Sequence, residues 1–359
     1  YDVILHEFNK YTYQNMAKKK RKKTSKKYIS HIGLSLILLA TAIIGMAFIP
    51  ISGKDGKQIL YIDNNDNADS VYEKMSVFCK PYVMPLFKTG SALLSYEDNI
   101  RTGRYEINND GALTLLRKLR NGTQTPVRLT IPCVRTMEQL AGFLSHKLML
   151  DSTDVINSLN NPEHCSQYGY TPETIAALFI PNTYDIYWNT GWEKFMKRMQ
   201  DENRKFWNEE RMSKAESAGL TEDEVVTLAS IIDEETSNNG EKPDIAGMYL
   251  NRLEKGIPLQ ADPTIKFAMK KFHLRRIYNK MLDVNSPYNT YRNKGLPPGP
   301  IRIASVAGID AVLNHTDHNY LYMCAKEDFS GTHNFAETYE EHLRNAKKYT
   351  EALNKRNIK

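Results

Sequence analysis

From Tyr28 to Gly53 the chain carries no Asp, Glu, Lys or Arg, and residues 32–51 within this stretch are almost wholly apolar. This run constrains the fold more than any other feature. About 20 apolar residues, rising 1.5 Å each as a helix, span the hydrocarbon core of a bilayer. Residues 18–27 just before it read Lys-Lys-Lys-Arg-Lys-Lys-Thr-Ser-Lys-Lys, a cationic run that stays cytoplasmic under the positive-inside rule. A cleaved signal peptide has a shorter apolar stretch, about 7–15 residues, ending at a small-residue cleavage site. Here the stretch is longer and runs into Pro50-Ile-Ser-Gly-Lys54 with no Ala-x-Ala. The sequence therefore predicts a basic cytoplasmic tail over residues 1–31, an uncleaved membrane helix over 32–51, and a folded part beyond the membrane. Residues 1–15 carry no functional signature, and Met16 is a candidate start.

Charge supports that division. Residues 1–52 hold nine of the 48 Lys/Arg and two of the 42 Asp/Glu, which leaves 39 basic and 40 acidic residues in the remainder. A nucleic-acid-binding protein carries its basic excess on the folded part, so no nucleic-acid partner is expected. The four cysteines, Cys79, Cys133, Cys165 and Cys324, form no CxxC pair, which argues against zinc-finger or thioredoxin-like chemistry. His315-x-x-His318 has a loose ligand spacing without an acidic third group nearby, and neither a metal nor a cofactor is expected.

After a polar linker at residues 54–56, strand-like and helix-like segments alternate. Strands are expected at 58–62, 103–107 and 127–131, and helices from 69 to about 82, over 111–121 and over 136–148. The last has apolar Met137, Leu140, Ala141, Leu144 and Leu148 at helical spacing. Residues 54–155 therefore read as one or two small α/β modules of a binding type. The remainder, 156–359, reads as a second, denser domain. In it an aromatic-rich segment at 179–188 precedes an expected long helix over 192–218.

Thr221-Glu-Asp-Glu224 is a capping box. Behind it Val225, Leu228, Ala229 and Ile232 recur at i, i+3, i+4, i+7, the spacing of one buried face. At 100° per residue Glu234 points away from that face into solvent, while Asp233 and Glu235 lie on its two edges. A carboxyl at the rim of an apolar face is partly desolvated, stays protonated nearer neutrality and can serve as a general acid. Periodicity sets Glu234 aside and leaves Asp233 and Glu235 open.

Several further segments, Leu228-Ala-Ser-Ile-Ile-Asp-Glu-Glu-Thr236, Ile245-Ala-Gly-Met-Tyr-Leu-Asn-Arg-Leu253, Gly256-Ile-Pro-Leu-Gln-Ala-Asp-Pro-Thr264, Ser286-Pro-Tyr-Asn-Thr-Tyr291, Gly295-Leu-Pro-Pro-Gly-Pro-Ile301 and His333-Asn-Phe335 with Thr338 and His342, are collinear with one family. Over residues 55–350 the chain resembles the MltG (YceG-like) family of endolytic murein transglycosylases. Two stretches depart from the family's usual text: Ile131-Pro-Cys-Val134 replaces Ile-Pro-Glu-Gly, and Ala304-Ser-Val306 replaces Asn-Pro-Gly.

The resemblance implies an α+β chain: one N-terminal transmembrane helix, small LysM-like α/β modules, then a mixed α/β catalytic domain. It implies a lytic transglycosylase that cleaves the MurNAc–GlcNAc β-1,4 bond of peptidoglycan strands, leaves 1,6-anhydro-MurNAc ends and terminates glycan elongation. The family's single catalytic glutamate maps onto Glu235, with Asp233 as the alternative. Gln260, Asp262, Thr264, Tyr288, Asn289, Thr290 and Tyr291 are the candidate sugar-binding residues, with Asn251 and His333 as auxiliaries. The expected place is the bacterial inner membrane, N-terminus cytoplasmic, beside peptidoglycan synthases. The competing readings are a muramidase-type hydrolase with Asp262 as second carboxylate, and a membrane-tethered scaffold without activity.

Overall fold

The computed structural model describes residues 47–274 and 276–356, together with 12, 16, 18–22, 33–38, 40, 41, 44 and 45. The chain divides into two compact units, Tyr1–Thr125 and Pro126–Lys359. Much of the expected membrane helix lies outside the described residues. Those described between 33 and 48 are helical, with Leu34, Leu36, Ile37, Leu38, Ile44 and Phe48 exposed. Among the described residues no helix is long and apolar enough to cross a membrane. The end of the expected span is placed differently from the sequence reading. Ile51 is fully buried in the core of the first unit, its N–H donates to the Asp110 carbonyl at 2.9 Å, and Pro50 bridges to Gly111. No free polar linker separates the apolar run from the folded unit.

The first unit runs β1 (Gln58–Ile62), α1 (Ala68–Ser76), α2 (Met84–Leu93), β2 (Gly103–Ile107) and α3 (Ala112–Asn121). The strands pair antiparallel, Gln58 opposite Ile107 and Ile62 opposite Gly103. Alternation along each strand sends Leu60, Ile62, Tyr105 and Ile107 inward, against Val71, Met75, Phe87 and Leu115 of the helices. Asn67 and Ser70 form a reciprocal cap on α1, which starts at Ala68, one residue before the sequence expectation. That helix stops at Ser76, and α2, unforeseen in the sequence, starts on Pro85 at its second position. Gly122, at φ +68°, ends α3 in the left-handed conformation that glycine adopts at little cost.

The second unit contains β3 (Val127–Thr130), α4 (Met137–Lys147), α5 (Ser152–Leu159), α6 (Pro162–Ser166), β4 (Thr183–Ile186), α7 (Trp192–Phe206), α8 (Glu209–Ser217), α9 (Glu222–Glu235), α10 (Lys242–Glu254), α11 (Asp262–Ala268), α12 (Val306–Leu313), β5 (Tyr322–Ala325), β6 (His333–Ala336) and α13 (Tyr339–Lys355). The division at 125 rather than 155 has a packing cause. Strand β3 pairs with β4, Val127 opposite Ile186, and Leu129, Leu140 and Leu144 share a core with Phe179, Phe195 and Met196. Strand β3 and helix α4 are thus committed to the second unit. The single helix expected over 192–218 breaks at Trp207, where Asn208 caps α8 by accepting from the Arg211 N–H.

Helix α9 is central. Its capping box forms as expected, Thr221 with Glu224, a device worth about 1 kcal/mol. Val225, Leu228, Ala229 and Ile232 are fully buried, but so is Ile231, and Val226 nearly so. The helix packs against both α10 and α12, and a helix apolar around its circumference belongs in a core. Truncating Ile231 to Ala would cost about 2–5 kcal/mol.

Candidate active site

Because α9 is enclosed on all sides from Val225 to Ile232, the three carboxylates at its end meet three different environments. Asp233 turns toward α12. Its Oδ1 accepts from Lys242 Nζ at 2.7 Å and Ser305 Oγ at 2.8 Å, and its Oδ2 accepts from the Ser305 N–H at 2.6 Å. Both ions are nearly sealed from water, at 3% and 6% side-chain exposure. Gly308 permits this approach, since a Cβ there would stand 2.7 Å from Asp233 Oδ1. Asp233 is a fastening between α9, α10 and α12, with both oxygens engaged. Ser305, within the segment departing from the family's usual text, caps α12 and completes this fastening.

Glu234 is not in solvent, contrary to the periodicity. Its Oε1 accepts from Arg302 Nη1 at 2.8 Å and Arg135 Nε at 2.9 Å, and 11% of its side chain is exposed. Arg302 also donates to the Cys133 carbonyl at 2.8 Å, so the other divergent segment, 131–134, borders this ion cluster.

Glu235 is half-buried and, among the described residues, enters no ion pair. Its Oε1 accepts from the Tyr249 hydroxyl at 2.8 Å. Burial pushes its carboxyl up to about 7, with the charge of Asp262 adding to the rise; the Tyr249 hydrogen bond and Lys266 partly oppose it. The C-terminal end of α9 also disfavours a negative charge. Burial and Glu235's negative charge hold the Tyr249 hydroxyl well above its ordinary value. Asp223 is also raised, to about 6, by burial and its acidic neighbours, but it lies at the opposite end of α9.

Glu235 lines a cleft of about 340 Å³ together with Tyr249, Arg252, Gln260, Asp262 and Tyr291, with Tyr322, His333 and His342 also in its lining. The Asp262 carboxylate accepts from the Tyr291 hydroxyl at 2.6 Å. Arg252 donates to the Pro258 and Leu321 carbonyls and, through Nη2, to Gln260 Oε1 at 2.7 Å. A guanidinium has only donors, so this bond fixes the amide orientation: Gln260 Nε2 with its two N–H groups faces away from Arg252. Gln260 also has φ +52°, a left-handed conformation costing a non-glycine residue about 1 kcal/mol or more, of a kind that collects at functional sites.

Of the candidates from sequence, the cleft gathers Glu235, Gln260, Asp262, Tyr291 and His333. The others support it from behind. Thr264, fully buried, donates to the Ala261 carbonyl at 2.7 Å and meets Thr290 Oγ1 at 2.9 Å. Thr290 Oγ1 in turn accepts from the Ala261 N–H at 3.0 Å. Asn289, fully buried, donates to the Leu282 and Val284 carbonyls. Tyr288 packs on Phe267 in a separate pocket, and Asn251 donates to the His318 and Tyr320 carbonyls. His333 is tied to Glu241, whose carboxylate meets its Nδ1 at 3.1 Å. His318 uses Nε2 on the Asp244 carbonyl and Nδ1 on the Tyr320 N–H. Tyr249, Arg252, Tyr322 and His342 join the cleft without having been candidates from sequence. The first two carry a signal there, a Tyr and an Arg at i, i+3 in an otherwise apolar helix face.

A family model described as the YceG-like family matches residues 60–348. A Bacillus subtilis (strain 168) protein named endolytic murein transglycosylase is 28% identical over 340 residues, covering 89% of this chain and 93% of that protein. A Streptococcus pneumoniae (R6) protein of the same name is 32% identical over 178 residues, 48% of this chain and 31% of that protein. The crystal structure of a yceG-like protein from Listeria monocytogenes is similar with a TM-score of 0.53 at 26% identity, covering 81% of this chain and 99% of that one.

Proposed function

The chain belongs to the YceG-like family, and on that premise we propose that it is a lytic transglycosylase of peptidoglycan with Glu235 as its acid/base. One observation carries the residue assignment: Glu235 lines the cleft and burial holds its carboxyl proton-bearing up to about pH 7. Its relatives named endolytic murein transglycosylase support the activity.

The proposed bond is the β-1,4 link from MurNAc to GlcNAc within a glycan strand. Glu235 gives its proton to the departing GlcNAc O4 as the C1–O4 bond breaks. The MurNAc 6-hydroxyl then adds to C1, and Glu235, now a carboxylate, takes the O6 proton. The protons balance, no water is consumed, and the product ends are 1,6-anhydro-MurNAc and GlcNAc with a free 4-hydroxyl. Asp262 faces the same cleft and offers negative charge to the oxocarbenium-like centre, as a second carboxylate does in hydrolases. Gln260 offers N–H donors to sugar acceptors. The first unit, with its strand–helix–helix–strand order, is proposed to hold the glycan as a LysM-like module. The apolar run after the basic tail is proposed to anchor the chain in the cytoplasmic membrane, catalytic unit outside, where peptidoglycan synthases release the strands that it terminates.

Mass spectrometry of products from purified peptidoglycan tests the chemistry. Anhydro-muramyl ends are expected from the unaltered chain, with a loss of about 100- to 10,000-fold in Glu235→Gln. Reducing muramyl ends alone would establish a hydrolase, and full activity in Glu235→Gln would remove the residue assignment.

A further inference from the structure

We propose that Tyr249 is a positioning residue that selects which oxygen of Glu235 carries the reacting proton. The inference rests on the assignment of Glu235 as the acid/base and deepens it.

The geometry is one-sided. Tyr249 is 2% exposed, anchored in α10, and aims its hydroxyl at Glu235 Oε1 from 2.8 Å. A neutral carboxylic acid has one oxygen that carries the proton and one that only accepts. The Tyr249 hydroxyl keeps its own proton near neutrality, because burial and the charge of Glu235 hold its titration well above the ordinary tyrosine value. With the hydroxyl donating to Oε1 as it does here, that proton is available to Oε1 both before and after Glu235 gives up its own. Oε1 is kept as the accepting oxygen, and Oε2 is left to deliver the proton and later to collect one. An acid/base that must serve twice in one turnover gains from such a fixed orientation, since the same oxygen faces O4 in the first step and O6 in the second. Arg252, at i+3 from Tyr249, clamps Gln260 in the same way. One turn of α10 thus orients the acid and a cleft amide together.

The groups around Glu235 that could move its titration are Glu234 on its own helix, Tyr249 and Arg252 on α10, Asp262 and Lys266 on α11, Tyr291, and His333 and His342 in the cleft lining. Among the described residues, Tyr249 supplies the one hydrogen bond that shifts the Glu235 carboxyl. Its removal therefore has a definite sign. The bond opposes the upward push of burial, so Tyr249→Phe, which keeps the ring and its packing, raises the Glu235 titration further.

The test is the pH dependence of glycan cleavage by the whole chain, unaltered and Tyr249→Phe. The expected result is a fall of about 10- to 100-fold in kcat/KM, with the alkaline limb moved to higher pH. An unmoved limb overturns the proposal, and so does a limb moved to lower pH, which signals water entering a loosened cleft. A carbon-13 titration of the Glu235 carboxyl, assigned by its absence in Glu235→Gln, reads the same shift without activity and must agree in direction. Cleavage surviving in Glu235→Gln would sink the acid/base assignment itself. Loss in that variant with an unchanged Tyr249→Phe profile would sink the positioning role alone.

Discussion

The two sides of the C-terminal end of α9 use the same functional group in opposite ways. On the side facing α12, Asp233 meets Lys242 and Ser305, and Glu234 meets Arg302 and Arg135. On the cleft side, one residue further along, Glu235 meets a phenol. A carboxylate given a cation and N–H donors becomes a strut; a carboxyl denied a cation and partly shielded from water keeps its proton toward neutrality. The difference lies in the partners, which come from segments up to 99 residues away in the sequence.

The largest effect that could break this contrast is on the strut side. Asp233→Ala leaves Lys242 charged and buried without its partner, and a destabilisation of about 3–5 kcal/mol is expected in denaturant unfolding. A stable Asp233→Ala protein that had lost only cleavage would reverse the roles of the two sides.

On the cleft side the sign is opposite. The Glu235 carboxyl is raised from 4.5 to about 7, so the folded state holds this proton more tightly than the unfolded chain. The folded state suffers no penalty below about pH 4.5. A penalty grows as pH rises toward 7 and levels off above it at about 3 kcal/mol. Glu235→Gln removes the titration. Its stability relative to the unaltered chain is expected to be level at pH 4.5 and higher at pH 8, read from melting curves across pH. A gap that does not change with pH would mean that Glu235 is ordinarily solvated.

The smallest change sharpens the contrast by importing an ion pair into the cleft. Gln260→Glu keeps an acceptor opposite Arg252 but removes both N–H donors. Folding stability is expected to hold, while cleavage falls about tenfold, one hydrogen bond's worth. Unchanged kinetics would show that the amide donors touch no substrate.

These contrasts bear on what is legible in the sequence. The capping box, the run from Val225 to Ile232 and the candidacy of Glu235 all arise from local pattern, because caps and periodic burial depend on residues within a few positions. Glu234 is misplaced by any reading that equates one apolar stripe with the whole buried surface. Val226 and Ile231, lying off that stripe, already signal a helix enclosed on all sides. Arg302 and Arg135, which complete the strut side, carry no local mark of their destination. The same holds for Thr264, Asn289 and Thr290. Polar residues in a loop look alike in sequence whether they face a ligand or satisfy backbone groups, and here the backbone claims all three. The unit boundary escapes a local reading because β3 finds its partner strand more than 50 residues later.

The burial of Ile51 in the first unit bears on how far the protein can reach. With the proposed anchor in the bilayer, the exposed helical Phe48 and the core residue Ile51 are three residues apart, a leash of about 10 Å at full extension. On the proposed anchoring, the first unit would stand against the lipid headgroups rather than swing on a stalk. On that proposal, the glycan within reach of the first unit would be the layer laid down nearest the membrane.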